Sequence, residues 1–86
     1  MKEIRLSQHA ELKLKILASH GMNVSTEFVE DTIHSPESVE AAEDNKLIAQ
    51  KRLDESRVLR VVYREFKAFV VIITLYPGRR SRYEKN

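Results

Sequence analysis

The sequence predicts an α+β fold in which two N-terminal helices pack on one face of a four-stranded antiparallel meander sheet. Three observations lead to this prediction. Apolar residues have helical spacing before Pro36 and alternate with polar residues after it. A serine suited to helix capping stands before each helical segment, and short polar turns, typical of antiparallel hairpins, separate the later segments. At 86 residues, the chain is expected to form one domain over residues 1–86.

The first helix is predicted over Gln8–His20, a stretch without glycine or proline. The Ser7 hydroxyl can accept a hydrogen bond from an unpaired amide at the helix start, and Gly21 suits a left-handed C-cap. Leu12 and Ile16 form a second, narrower apolar stripe. The main apolar face, which is expected to contact the sheet, consists of Ala10, Leu14, Leu17 and Ala18.

The second helix is predicted to begin after Ser25 or Thr26 and to end near His34, because Pro36 cannot continue it. Acidic residues in its first turns suit the positive end of the helix dipole. Its buried side is expected to consist of Phe28, Val29, Thr32 and Ile33.

Period-two patterns predict four strands, which cover Ser38–Ala42, Leu47–Leu53, Arg57–Arg64 and Ala68–Tyr76. Lys2–Leu6 is either an edge strand or an extended lead-in. The run Val70–Ile73 is the most apolar in the chain and predicts a strand covered on both faces. Pro77 and Gly78 are expected to end that strand.

The third predicted strand alternates between two kinds of residue. Leu59, Val61 and Tyr63 share one face and are expected in the core. Arg60 and Arg64 lie on the other face, which we expect to be half exposed. If the register places Thr74 and Tyr76 beside these arginines, the free face of the sheet is polar, aromatic and cationic.

The composition excludes several classes of protein. There is no cysteine, which excludes disulfides and thiolate metal sites and favours a cytoplasmic location. No apolar run approaches the ~20 residues that a membrane-spanning helix needs, so no membrane partner is expected. His9 and His20 lie about 16 Å apart on one helix, too far to share an ion. No metal or cofactor is therefore predicted.

The charges are distributed unevenly along the chain, although the net charge is only +2. Residues 27–44 contain seven acidic residues and no lysine or arginine, whereas residues 45–86 contain eleven lysines and arginines against four acidic residues. This division predicts separate surfaces for separate partners, with phosphate-rich partners for the basic one. The alternative is a solvated surface with scattered internal ion pairs.

Two short motifs resemble a known group of proteins. The opening Ser7-Gln8-His9-Ala10 ahead of a helix, and a last strand that ends in Leu75-Tyr76-Pro77 before basic residues, resemble a family of small uncharacterised prokaryotic proteins related to the RelE/ParE-like toxins. The resemblance implies two helices followed by a curved antiparallel sheet, and one half of a toxin–antitoxin pair. RelE-like members cleave messenger RNA on the ribosome, whereas ParE-like members poison DNA gyrase and lack nuclease activity.

The resemblance implies a metal-independent endoribonuclease, with roles only where this chain offers a suitable side chain. His9 would transfer protons, Arg79 or Arg80 would clamp the phosphate, and Tyr83 would stack on a base or donate its phenolic proton. Each also has a structural interpretation: a first-turn histidine, a disordered basic tail, and a tyrosine packed on the sheet edge. Further candidates for RNA contacts are Lys13, Arg60, Arg64, Tyr76, Arg80 and Arg82.

The alternative is a non-enzymatic, ParE-like module whose basic and aromatic face binds a protein, such as an antitoxin segment. The expected partners are thus RNA, bound to the ribosome or not, or an antitoxin protein. A homodimer would form through an open edge at Lys2–Leu6 or Ser38–Ala42. The deciding observation is whether Arg79–Tyr83 lies close to His9.

Overall fold

Five strands and three helices make up the protein in a computed structural model that describes residues 2–84. The elements are β1 Glu3–Leu6, α1 Gln8–Ser19, α2 Thr26–His34, β2 Ser38–Ala41, β3 Leu47–Arg52, β4 Arg57–Glu65, β5 Phe69–Arg79 and α3 Arg80–Tyr83. The strands form one mixed sheet in the order β1-β5-β4-β3-β2. β1 is parallel to β5, and the other neighbours are antiparallel. None of the described helices is long and apolar enough to cross a membrane.

The predicted four-stranded antiparallel meander with two helices is therefore wrong. The fifth strand is β1, which pairs Ile4 with Val70 and Leu6 with Ile72 along one edge of β5. This pairing covers backbone groups of the most apolar part of the sheet, which would otherwise be exposed at an edge. Four residues carry too short a pattern to separate a strand from an extended lead-in, so the sequence left both interpretations open.

The end of β5 also differs from the prediction. The strand passes through Pro77 and Gly78 and ends at Arg79, so the expectation that these two residues end it is wrong. β1 flanks β5 only as far as Ile72. Pro77 thus lies where β5 has one open edge, and a strand tolerates a missing N–H at such a position.

α1 and α2 cover one face of the sheet. Its largest fully buried side chains on that side are Leu59, Val61, Ile72 and Leu75, together with Val29 of α2. Of the main apolar face predicted for α1, Ala10 and Leu17 are buried, whereas Ala18 is exposed. The second stripe remains exposed, with Leu12 at 54% and Ile16 at 42%.

Ser7 connects α1 to a bulge in β5. The register between β4 and β5 shifts after Val62, which leaves Ile73 without a partner in β4. The Ser7 hydroxyl accepts from the Ala10 N–H at 3.1 Å and donates to the Ile73 carbonyl at 2.8 Å. The predicted N-cap is thus confirmed, and it also satisfies a carbonyl at the bulge.

Replacement of Ser7 by alanine should destabilise the fold by about 2 kcal/mol, because it removes both a helix cap and a hydrogen bond to the sheet. Ser25→Ala is the matched control, since Ser25 caps α2 through the Phe28 N–H. It should cost about 1 kcal/mol. Urea unfolding measures both variants, and equal losses would show that the bond to Ile73 contributes nothing.

Candidate functional site

The sheet face that α1 and α2 leave uncovered carries an open cleft of about 510 Å³. One wall is formed by β2 and β3, and the other by the C-terminal α3. Alternation along the strands places polar side chains here, because the residues between them point into the core. The lining residues are Glu37, Ser38, Glu40, Gln50, Arg52, Arg60, Tyr83 and Glu84.

Arg60 forms the floor of this cleft. The register aligns it with Gln50 on β3 and with Tyr76 on β5. Its Nη1 donates to Gln50 Oε1, its Nε donates to the Tyr76 hydroxyl at 2.9 Å, and its Nη2 forms an ion pair with Glu40. All three guanidinium nitrogens are therefore used, and only 8% of the side chain is exposed.

Burial and hydrogen bonding act in opposite directions on Arg60. Burial lowers the pKa of Arg60, but hydrogen bonds to Tyr76 and Glu40 raise it, and the pKa lies above its ordinary value. The guanidinium is thus a permanent cation with a fixed orientation.

The ring of Tyr83 lies over this cation. Its centroid is 4.2 Å from Arg60 Cζ, a distance typical of a cation–π contact. The approach requires a glycine in β5, because a Cβ on Gly78 would lie 2.3 Å from Tyr83 Cε2. α3 is tied to the turn between β3 and β4 by the Arg80 N–H, which donates to the Ser56 carbonyl at 2.9 Å.

Glu84 is clamped between two arginines at the rim of the cleft. Arg52 donates to it from Nε and Nη2, each at 3.2 Å, and Arg80 donates from Nε at 2.8 Å. Hydrogen bonds from Arg52 and then Arg80 lower the pKa of Glu84 below its ordinary value. The charges of the cleft are therefore largely balanced from within.

The structure brings together part of the predicted site. Arg60, Tyr76 and Tyr83 form one cluster, and Arg80 stands at its rim. The register meets the condition stated for a polar, aromatic and cationic face only in part, because Tyr76 lies beside Arg60 whereas Thr74 pairs with Val62.

The other basic candidates lie at the margins of the cleft or away from it. Arg79 and Arg82 are exposed where β5 passes into α3, and the Arg82 guanidinium is 5.5 Å from the Tyr83 ring centroid. Arg64 is elsewhere on the sheet, where its Nε donates to the Asp44 carbonyl. Lys13 is on α1, on the other side of the sheet.

His9 is separated from Arg79 and Tyr83. It belongs to the first turn of α1, on the core side of the sheet, whereas Tyr83 lies on the open side. The preceding Ser7 is bonded to Ile73, six residues before Arg79, which corresponds to about 20 Å along a strand. The structure therefore does not assemble His9, Arg79 and Tyr83 into one catalytic site.

Sequence reasoning missed six lining residues of the cleft: Glu37, Ser38, Glu40, Gln50, Arg52 and Glu84. A usable signal existed for two of them. Gln50 and Arg52 alternate with Ala49 and Lys51, so a hairpin at the short turn after β3 places them on the face of Arg60. The acidic residues gave no such signal, because a lone glutamate is ordinarily a solvated surface residue.

Comparison of the chain with protein-family models, with curated proteins and with solved structures found no match. The resemblance to RelE/ParE-like toxins thus stays a prediction. Within residues 2–84, no three His, Asp or Glu side chains are grouped to hold a metal ion.

Replacement of Gly78 by alanine should displace the Tyr83 ring and leave the sheet folded, since the new Cβ meets only that ring at close range. Loss of the ring-current shifts on the Arg60 side-chain protons, measured by NMR, reports the displacement. Gly21→Ala is the contrasting control. Gly21 has open space but φ +84, so alanine there should cost about 1 kcal/mol and keep those shifts. Unchanged shifts in Gly78→Ala would contradict the close packing.

Proposed function

We propose that the cleft binds single-stranded RNA and cleaves it without a metal ion, as a toxin-like ribonuclease. The observation that carries the proposal is the Tyr83 ring, which lines an open cleft and is supported from below by the Arg60 guanidinium. A base can stack on such an immobilised aromatic ring, and stacking is a main source of affinity for unpaired bases. Arg60 itself is a positioning residue, because its nitrogens are already committed.

The arginines around the ring supply the phosphate contacts. Arg52 lines the cleft, Arg80 contacts Glu84 at its rim, and Arg79 and Arg82 are exposed beside it. Guanidinium groups match phosphate oxygens with paired N–H donors. Four arginines within one short stretch of surface therefore suit the sugar–phosphate backbone that leads to and from the stacked base.

The cleft also contains groups for proton transfer. The RNA 2′-oxygen attacks the adjacent phosphorus, the bond from phosphorus to the 5′-oxygen breaks, and a 2′,3′-cyclic phosphate forms. The carboxylate of Glu40, which lines the cleft, accepts the 2′-hydroxyl proton, and the Tyr83 phenol donates one to the leaving oxygen. The arginines around the Tyr83 ring offset the negative charge that develops on the phosphoryl oxygens.

The double variant Arg79→Ala/Arg80→Ala should weaken RNA binding and lower its salt dependence. Binding with fewer phosphate contacts releases fewer counterions from the RNA. The slope of log affinity against log salt should fall by about 1.4 for two contacts to a single strand. Fluorescence anisotropy with a labelled single-stranded RNA measures both quantities. Lys13→Ala is the control, since Lys13 lies on α1, away from the cleft. Unchanged affinity of the double variant at low and high salt would refute an RNA site here.

Tyr83→Phe should keep RNA affinity and lower the cleavage rate about 100-fold, because it retains the ring and removes the proton donor. His9→Ala should cleave at the wild-type rate, since His9 lies on the other side of the sheet. Single-turnover assays in the presence of a chelator provide the measurement. A slow His9→Ala variant beside an undiminished Tyr83→Phe variant would move the chemistry away from the cleft.

A protein-binding module is the second candidate, and the edge of the sheet favours it. β2 is the outermost strand, all four of its residues are exposed, and Val39 is 47% exposed. An extended antitoxin segment could pair with this edge by strand addition, and its acidic side chains could reach the arginines of the cleft. This candidate would be favoured if the protein does not bind RNA but binds tightly to a protein encoded by an adjacent gene.

A further inference from the structure

Three N–H groups from two arginines converge on one carboxylate at the rim of the cleft. Arg52 presents Nε and Nη2 side by side, one to each oxygen of Glu84, and Arg80 adds its Nε to Oε1. Two donors in parallel on two oxygens of one group form the bidentate arrangement that arginine uses for carboxylates and for phosphates alike. The rim therefore has the chemistry of a site for an oxyanion.

The two arginines are supported by contacts that do not involve Glu84. Arg80 also donates from Nη1 to the Glu55 carbonyl, and its backbone N–H donates to the Ser56 carbonyl. The backbone N–H of Arg52 donates to Glu37 at 3.1 Å. Departure of the Glu84 carboxylate would thus leave the Arg80 guanidinium bonded to the Glu55 carbonyl and the Arg52 backbone bonded to Glu37.

The Glu84 side chain, in contrast, is attached where little else restrains it. Glu84 follows the four-residue α3 and makes a backbone hydrogen bond to the Arg80 carbonyl. Rotation about its side-chain bonds is enough to withdraw the carboxylate, with no change in the sheet. Its partner Arg52 is 52% exposed, whereas the Glu84 side chain is 21% exposed. The pair is therefore open to solvent from the side of Arg52, where another anion can approach the guanidinium.

We propose that Arg52 and Arg80 form a phosphate subsite of the cleft and that the Glu84 carboxylate occupies it until an RNA phosphate takes its place. Glu84 is thus a built-in competitor that lowers the affinity of the free protein for RNA. This inference rests on the proposed function and adds its regulation. The phosphate that enters is the one next to the base stacked on Tyr83, because Arg52 and Tyr83 line the same cleft.

Glu84→Gln tests the competition directly, because it removes the charge and keeps the size of the side chain. RNA affinity measured by anisotropy should rise about three- to tenfold, the range that loss of two partly exposed ion pairs allows. Glu11→Gln is the charge-matched control, since Glu11 is exposed on α1 on the far side of the sheet. It should change the affinity much less, and equal gains in the two variants would mean that only net charge matters.

A double-mutant cycle separates occupancy from general electrostatics. If Glu84 occupies the subsite, Arg52→Ala should weaken RNA binding several-fold more in the Glu84→Gln background than in the wild type, because only there is Arg52 free. Equal losses in both backgrounds would overturn the proposal.

Inorganic phosphate is a probe that does not depend on RNA binding. Titration of the wild type and of Glu84→Gln, followed through the NMR signals of the Arg52 and Arg80 Nε–H groups, should show tighter phosphate binding in the variant. Equal phosphate affinity would overturn the subsite. RNA binding that depends on Arg79 and Arg80 but not on Glu84 would refute the competitor and leave the RNA site intact. Tighter phosphate binding without RNA binding would instead refute the proposed function.

Discussion

The organisation of the open face depends on one buried cation. A guanidinium that leaves water costs several kcal/mol unless it is paired and hydrogen-bonded, and Arg60 is almost fully covered. Its partners come from three other strands and from the C-terminal helix: Glu40, Gln50, Tyr76 and Tyr83. A slip of one residue in any strand would turn a partner to the other face. The requirement to satisfy Arg60 therefore specifies the register of a sheet face that no long helix covers.

The same contacts explain why the charge division along the chain does not produce two separate surfaces. Acidic residues of the 27–44 segment pair with basic residues of the 45–86 segment, as in Asp31 with Lys51 and Glu40 with Arg60. The acidic segment thus neutralises part of the basic one, because residues that are far apart in the sequence form ion pairs in the fold. Under the proposed function, a phosphate-rich ligand would consequently compete with carboxylates of the protein itself.

Local signals in the sequence predicted α1, α2 and four of the five strands, because caps and alternation act over a few residues, but they did not predict α3. The N-caps Ser7 and Ser25 are confirmed by their hydrogen bonds. β1 was left undecided because four residues carry little pattern, and its parallel partner is more than sixty residues away. The site was predictable only in part: Arg60, Tyr76 and Tyr83 carry visible chemistry. The position of His9 depends on which face of the sheet α1 covers, and no local pattern contains that information.

The part of the molecule that completes the cleft is also the part with the least intrinsic stability. Four residues cannot maintain a helix alone, because ordering the first turn costs more free energy than its few hydrogen bonds contribute. α3 persists because the Arg80 N–H is bonded to Ser56 and because Gly78 admits the Tyr83 ring. Segments supported by so few contacts open at a small fraction of the global unfolding free energy. Under the proposed function, the Glu84 carboxylate at the end of this segment can therefore exchange for a phosphate. The sheet beneath it, with Arg60 fixed in it and stacked on the Tyr83 ring, stays unchanged.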